Sequence, residues 1–446
     1  MAFPFKINKV SALQIFQFLR FLCFFIISIY FTKIPLSKKD IGDWEIIFIA
    51  CGALSFFWVT GILQSFLPLS QRSMAFVQHK RTDGKSPEIF NAFILLSIFS
   101  IGFAFLILLI SNVNLGFSAG AKIPFPHLVF IYFILSNVSP LIEHIYLIQD
   151  KPLHIFWYGI VSTVLQILAV CIPVMLGYGI EAAFWGLIGV NFLKLLYLIR
   201  LLCLYAEFKI SVPFILNNLY VGYPIILSAL LSGSTQYIDS VIASLAFDAE
   251  NVAVFRYGCK ELPFVVMMTS GLHNALIPEF SIKKNIPRIL AEIKEKSLRL
   301  MHILYPLSVL IMIFSNVIFR FLFNEEFVRS ADVFMVYQLM IISRIVFPQT
   351  ILIGLKKTNI LMWASILEII LNVAASLFFV QYYGIVGIAL GSGLIHILEK
   401  FVLMWYNYYK LGISPRSYVP MVWYIFYSVL IGVVFILIDH RIIYIR

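Results

Sequence analysis

Charge is scarce in this 446-residue chain, with Asp, Glu, Lys and Arg together making up 12% of it. A soluble domain carries about 25%, so a water-facing surface over most of the molecule is excluded. Cysteine is scarce too. Cys23, Cys51, Cys171, Cys203 and Cys259 all lie within or near apolar runs and form no CxxC pair. We read them as small packing residues, which leaves no disulfide framework and no metal site. There is no Walker A phosphate loop, so ATP is not the direct energy source. The segments between apolar runs are short and hold no His/Asp or paired-acid cluster. The chain is therefore not read as an enzyme, and no catalytic residue or cofactor is expected. The first apolar run follows Lys6 and Lys9 but lacks a small-residue cleavage site, so no cleavable leader is expected.

What is present is apolar. Hydrophobic residues make up 61% of the chain, with 43 Phe and 22 Tyr, and the mean hydropathy is +0.95. A membrane-spanning helix needs about 20 apolar residues. Candidate runs fall at 13–30, 44–67, 89–110, 128–148, 155–175, 182–204, 219–247, 252–280, 300–321, 331–353, 360–380, 385–408 and 419–438. The fold class expected is an all-α membrane protein with about 13 transmembrane helices; the runs are too long for barrel strands. The net charge of +11 is carried mostly by short segments between runs, which points to membrane orientation rather than nucleic acid. The positive-inside rule puts the N-terminus in the cytoplasm, together with Arg72, Lys80, Arg81, Lys151, Arg200, Lys283, Lys284 and Lys410. In the inward segment 281–299, Ile286, Ile289, Leu290 and Ile293 form an apolar stripe. This predicts an amphipathic helix near 283–297 lying on the cytoplasmic leaflet, its basic residues facing anionic headgroups.

The sequence also repeats. Gly61…Pro68 matches Gly271…Pro278, Tyr178-Gly179-Ile180…Gly186 matches Tyr383-Gly384-Ile385…Gly391, and Pro140 matches Pro348, at offsets of 210, 205 and 208 residues. We infer an N-lobe at 1–206, a C-lobe at 207–412 and a C-terminal extra helix and tail at 413–446. Six helices per repeat start on the same side of the membrane, so the repeats are parallel. In transporters of this kind the substrate path lies between them.

Several pieces, in this order, resemble one family: Leu13-Gln-Ile-Phe-Gln-Phe-Leu-Arg20, the Gly…Pro endings of the second and eighth runs, Gly222-Tyr-Pro224, Gln236-Tyr-Ile-Asp-Ser240, Ala253-Val-Phe-Arg-Tyr-Gly258, Leu322-Phe-Asn-Glu-Glu-Phe327 and Tyr383-Gly-Ile385. The chain resembles the polysaccharide-transporter (Wzx-type flippase) branch of the multidrug, oligosaccharidyl-lipid and polysaccharide exporter (MOP) superfamily. The resemblance covers nearly the whole chain. It implies a twelve-helix core of two six-helix bundles; the thirteenth run departs from the family, many members of which have twelve or fourteen helices. It also implies a V-shaped cavity walled by the first, second, seventh and eighth helices, and a polyprenyl-diphosphate-linked oligosaccharide as cargo. The implied setting is the bacterial inner membrane, with membrane lipids and other polysaccharide-assembly proteins as partners, in the synthesis of cell-surface polysaccharide such as the O-antigen of lipopolysaccharide.

Polar residues within a span are costly and face a cavity or a partner. Gln14, Gln17 and Arg20 share a face of the first run, Thr60 and Gln64 a face of the second, and Ser228, Ser232, Thr235 and Asp239 a stripe on the seventh. Arg256 and Lys260 lie one turn apart on the eighth, and Asn274 returns to the same face. We expect a net-cationic groove built from Gln17, Arg20, Gln64, Asp239, Arg256, Lys260 and Asn274. Arg20, Arg256 and Lys260 would hold the diphosphate, and the amides the sugar hydroxyls. Trp58 would stack on a sugar face. Asp239 and Lys260 have an alternative as partners of each other across a hairpin. Glu143 and His144 read as packing or capping groups. His273 is either hydrogen-bonded or a proton carrier. Glu368 and Asn372 share a face that could hold a coupling ion, and Glu399 and Lys400, with Lys194 at the repeat-related position to Glu399, form a lobe-internal or surface ion pair. The competing function is a cation-coupled exporter of drugs or small organic cations with the same fold, against which the basic candidates argue.

Overall fold

The computed structural model describes residues 9–77, 85–112, 122–260, 263–276, 280, 286–355, 357–440 and 442. Among them the regular secondary structure is helical, apart from one isolated parallel bridge between Ser86 and Ala206. It divides into two compact units, Met1–Tyr237 and Ile238–Arg446.

The first unit contains α1 (Lys9–Lys33), α2 (Lys38–Val77), α3 (Pro87–Asn112), α4 (Pro126–Val138), α5 (Leu141–Ile148), α6 (Pro152–Met175), α7 (Gly179–Tyr205) and most of α8 (Val212–Ala246). Proline opens α3, α4 and α6, a position where its fixed φ suits the helix and its missing N–H costs nothing. The fourth apolar run is divided by Pro140 into α4 and α5 but counts as one span, Pro126–Ile148. Within the unit, α1 packs on α6, α6 on α7, and α3 on α4.

The division between the units falls inside α8. Within the first unit α2 and α8 meet at a seam in which glycines admit bulky side chains from the other helix. A Cβ on Gly61 would sit 2.1 Å from Ile226 Cγ1, one on Gly233 would sit 2.5 Å from Phe56, and one on Gly52 would sit 2.5 Å from Tyr237. Phe56 and Tyr237 stack at 4.8 Å, and Ser65 Oγ donates to Asn218 Oδ1 at 3.1 Å. The connection from α7 to α8 is also fixed. Ser86 N donates to Tyr205 O, Glu207 N donates to Ser86 O, and the Asn91 side chain donates to Lys209 O and accepts from Ser211 N, both at 2.9 Å.

The second unit contains the end of α8, then α9 (Ala249–Gly258), α10 (Pro263–Leu276), α11 (Ile286–Ile313), α12 (Ser315–Leu322), α13 (Arg329–Gln338), α14 (Ile341–Arg344), α15 (Pro348–Gly354), α16 (Thr358–Tyr383), α17 (Ile385–Leu411), α18 (Pro415–Tyr418) and α19 (Met421–Asp439). Eleven described helices are long and apolar enough to cross a membrane. The number is twelve if Arg329–Arg344 and Pro348–Gly354, bent by 45°, form one broken span. The eighth apolar run is divided into α9 and α10, so Lys260 lies beyond the end of α9 rather than one helical turn from Arg256.

The stripe expected to lie on the leaflet does something else. It is the first half of α11, continuous with a spanning segment. Ile289 and Ile293 are fully buried, in a core with Ile341, Ile345, Phe347, Ile351 and Tyr418. An apolar stripe is covered equally well by protein as by lipid, and here α11 packs against α10, α14 and α18. Residues 281–285 lie outside the described residues. The thirteenth run is α19, docked along α11. His302 Nδ1 meets Tyr427 Oη at 2.9 Å, Tyr305 Oη meets Ser428 Oγ at 3.0 Å, and Tyr424 Oη donates to Ile342 O at 3.1 Å.

Repeat-related positions keep their local geometry. Gly179 and Gly384 both have positive φ, +76° and +58°, at the turns that start α7 and α17; an L side chain there is strained. A Cβ on Gly186 would lie 1.9 Å from Ala169 O, and one on Gly391 would lie 2.7 Å from Ser376 N. Both glycines allow a helix to touch the backbone of the helix before it.

Candidate functional site: charged and polar clusters within each unit

In the first unit Arg20 is exposed on α1 with its guanidinium 6.0 Å from the Phe16 ring centroid. It lies eleven residues from the start of α1, and Lys194 lies eleven residues from the end of α7. Both are therefore about 16 Å along their helices from the same side. Lys194 Nζ donates to Gln166 Oε1 on α6 at 3.1 Å. Arg20, Lys194 and Glu143 of α5 interact electrostatically. Glu143 is 8% exposed and Gln166 7%. Rings flank the cluster: Phe16 stacks on Tyr158 at 5.7 Å, Tyr158 stacks on Tyr197 at 6.0 Å, and the Tyr197 and Tyr146 hydroxyls are hydrogen-bonded to each other. Chemically this is a net-positive group at mid-span with spare donors, suited to an anion. Gln17 and Gln64 are exposed on α1 and α2.

Trp58 is not available to stack on a sugar. It is fully buried among Phe99, Phe103 and Phe133, and its Nε1 donates to Leu54 O at 2.8 Å. An indole in an apolar run satisfies its N–H and fills the core as readily as it meets a ligand.

In the second unit Asp239 is 4% exposed. Its partner is not Lys260. Tyr337 Oη donates to Asp239 Oδ2 at 2.6 Å, and Ser392 Oγ donates to Oδ1. Ser392 also reaches Asn372 Oδ1 at 3.1 Å, and Ser376 Oγ donates to the same oxygen at 3.0 Å. His396 Nδ1 pairs with Glu368. This polar layer joins α8, α13, α16 and α17, and its oxygens suit a proton or a hard cation. Among the described residues, no three His, Cys, Asp or Glu side chains are grouped as metal ligands. The Glu399–Lys400 pair forms at 2.6 Å, with Gln349 Nε2 donating to Glu399 at 2.8 Å. His273 Nδ1 lies 2.7 Å from Thr350 Oγ1, and His144 Nδ1 lies 2.8 Å from Pro140 O.

Arg256 is half-buried and its Nη1 donates to Ser240 Oγ at 3.2 Å. Lys260 Nζ stands 4.4 Å from the Tyr257 ring centroid. The side chains of Asn274, Ser232 and Thr235 lie outside the described residues. Lys194, Gln166, Tyr337 and Ser392 were not among the expected site residues. A lysine inside an apolar run was a usable signal for the first of these; its helix neighbours in space were not.

Comparison with solved structures shows one fold. The lipid II flippase MurJ in an inward-closed conformation matches with a TM-score of 0.60 at 17% identity, covering 96% of this chain and 98% of that one. An inward-facing multidrug resistance MATE-family transporter of the MOP superfamily matches with a TM-score of 0.65 at 14% identity, covering 96% and 99%. A MOP superfamily transporter from Pyrococcus furiosus, described as having a binding pocket of reverse polarity, matches with a TM-score of 0.56 at 15% identity, covering 91% and 96%. Among curated protein sequences there is no match. Residues 54–332 match the family described as polysaccharide biosynthesis protein. With more than half its length matched, the chain belongs to the polysaccharide biosynthesis protein family, and across nearly all of its length it has the fold shared by these transporters.

Proposed function

We propose that this protein translocates a lipid-linked oligosaccharide, carried on a polyprenyl diphosphate, across the bacterial inner membrane by alternating access, for cell-surface polysaccharide synthesis. The observation that carries this reading is the placing of Arg20 and Lys194 at one mid-span depth, without a direct carboxylate partner for either among the described residues. Two cations at that depth are expensive and complement a diphosphate. Family membership and the flippase activity of the structural relative MurJ support the same reading. Arg256 and Lys260 would add basic contacts to the headgroup, with Asp239 nearby in sequence on α8, and Gln17, Gln64 and Asn274 would bind sugar hydroxyls. The N-terminus would be cytoplasmic, following the distribution of basic residues, and membrane lipids and polysaccharide-assembly proteins would be its partners.

The test is accumulation of lipid-linked glycan on the inner leaflet of cells lacking the protein, measured by access to a membrane-impermeant lectin. Complementation by Arg20→Ala is expected to restore translocation at least about tenfold less well than wild type, at equal membrane abundance, since a charge-assisted contact to phosphate contributes about 1.5–3 kcal/mol. Full complementation by Arg20→Ala removes it from the site. The second reading, export of small organic cations, is favoured by the MATE likeness and predicts drug sensitivity without glycan accumulation in the same cells.

A further inference from the structure

Three buried carboxylates among the described residues are held by direct partners. Asp239 has Tyr337 and Ser392, Glu399 has Gln349 and Lys400, and Glu368 has His396. Glu143, equally buried, has no hydrogen bond and no direct ion pair among the described residues; it interacts with Arg20 and Lys194 only through their fields. A structural buried carboxylate is paired, because leaving it unpaired costs several kcal/mol. The two cations likewise keep their donors: Lys194 spends one on Gln166, and Arg20 lies against the Phe16 ring.

We propose that Glu143 is a built-in counter-anion. It lowers the cost of holding Arg20 and Lys194 inside the membrane when no ligand is bound, and it opposes an incoming phosphate-type anion at the same two cations, so that the anion can leave again. This rests on the anion-binding reading of the cluster given above. The geometry suits the role. Contact with either cation would lock the charges into a salt bridge, whereas a carboxylate held at a remove leaves the cations' donors for the ligand. A transporter needs binding that is favourable enough to load and weak enough to unload, and a fixed negative charge beside the site tunes that balance.

The test uses the full-length protein in detergent micelles, with inorganic pyrophosphate as the probe and the ligand-induced rise in unfolding temperature as the readout. Counting Arg20, Lys194 and Glu143 each as ionised, the cluster has a formal net charge of +1 in the wild type. Glu143→Gln raises it to +2 and is expected to tighten pyrophosphate binding by about tenfold, and Lys194→Gln lowers it to zero and is expected to weaken binding by about as much. The double variant returns to +1 and should bind within about twofold of wild type. Glu143→Gln binding no tighter than wild type overturns the proposal. If Glu143→Gln does not fold, the double variant decides: binding as weak as in Lys194→Gln overturns it. Because the probe carries no lipid or sugar, these results stand apart from the glycan assay. A protein that passes here but whose loss causes no glycan accumulation refutes the flippase reading alone.

Discussion

The contact between Gly61 and Ile226 gives a sharp test of how closely α2 and α8 approach. A Cβ added at Gly61 meets Ile226 Cγ1 at 2.1 Å and Ile226 Cα at 3.2 Å. Carbon atoms rest at about 3.5–4.0 Å, so Gly61→Ala requires a displacement of roughly 1.4 Å. A rotamer change would move Cγ1 but would leave the contact with the Ile226 backbone and bring the other branch of the β-branched side chain round. Overpacking of this kind costs about 1–3 kcal/mol, and this overlap belongs at the top of that range. Alanine's helix propensity returns about 1 kcal/mol, which leaves a net cost of about 2 kcal/mol. For a unit of this size that is a fall in apparent unfolding temperature of roughly 4–8 °C. Gly102→Ala is the control, because a Cβ there meets nothing within 4 Å, and it should be neutral or stabilising. Truncating the partner closes a double-mutant cycle: Gly61→Ala with Ile226→Ala should be about as stable as Ile226→Ala alone. The assay is thermal unfolding of the purified protein in detergent. If Gly61→Ala unfolds with Gly102→Ala, or if the two substitutions at the seam are simply additive, the helices are not in the contact described.

Two further outcomes follow from the second unit. Ser392→Ala or Tyr337→Phe removes a donor from buried Asp239, and each is expected to destabilise the protein by about 1–3 kcal/mol; thermal unfolding of each variant beside wild type checks this. Removing α18 and α19 by truncation after Gly412 uncovers Tyr305, Met301 and Tyr418's neighbours in the core. The truncated chain should be recovered from membranes at much lower abundance, measured by immunoblot, which distinguishes an integral element from an appended one.

Much of the fold was legible because the membrane simplifies it: a run of about twenty apolar residues has few alternatives to a spanning helix. The repeat was visible at Pro140 and Pro348 and at the turns of Gly179 and Gly384, where only backbone geometry is at stake. Breaks inside apolar runs were harder. The division between α9 and α10 and the bend before Pro348 leave hydropathy unchanged. The stripe of α11 misled for a related reason, since periodicity reports that a face is apolar and not whether lipid or protein covers it. Trp58 was misassigned because an aromatic ring in a span serves core and ligand alike. Glu143 and Lys194 lie on different helices, and a single sequence does not reveal which charged positions share a depth and a neighbourhood. Asp239 was recognisable as a polar position in a stripe, but its partners come from helices far along the chain.

The short connection from α7 to α8 is stapled to the start of α3 by the Asn91 amide and the Ser86 bridge. That anchoring removes the obvious pivot. If α8 swings, its root stays put and the flexure must arise further along, at Pro224, where the absent N–H leaves the carbonyl one turn earlier unbonded and the rod can bow. The upper portion of α8 would then move like a lever on a fixed post.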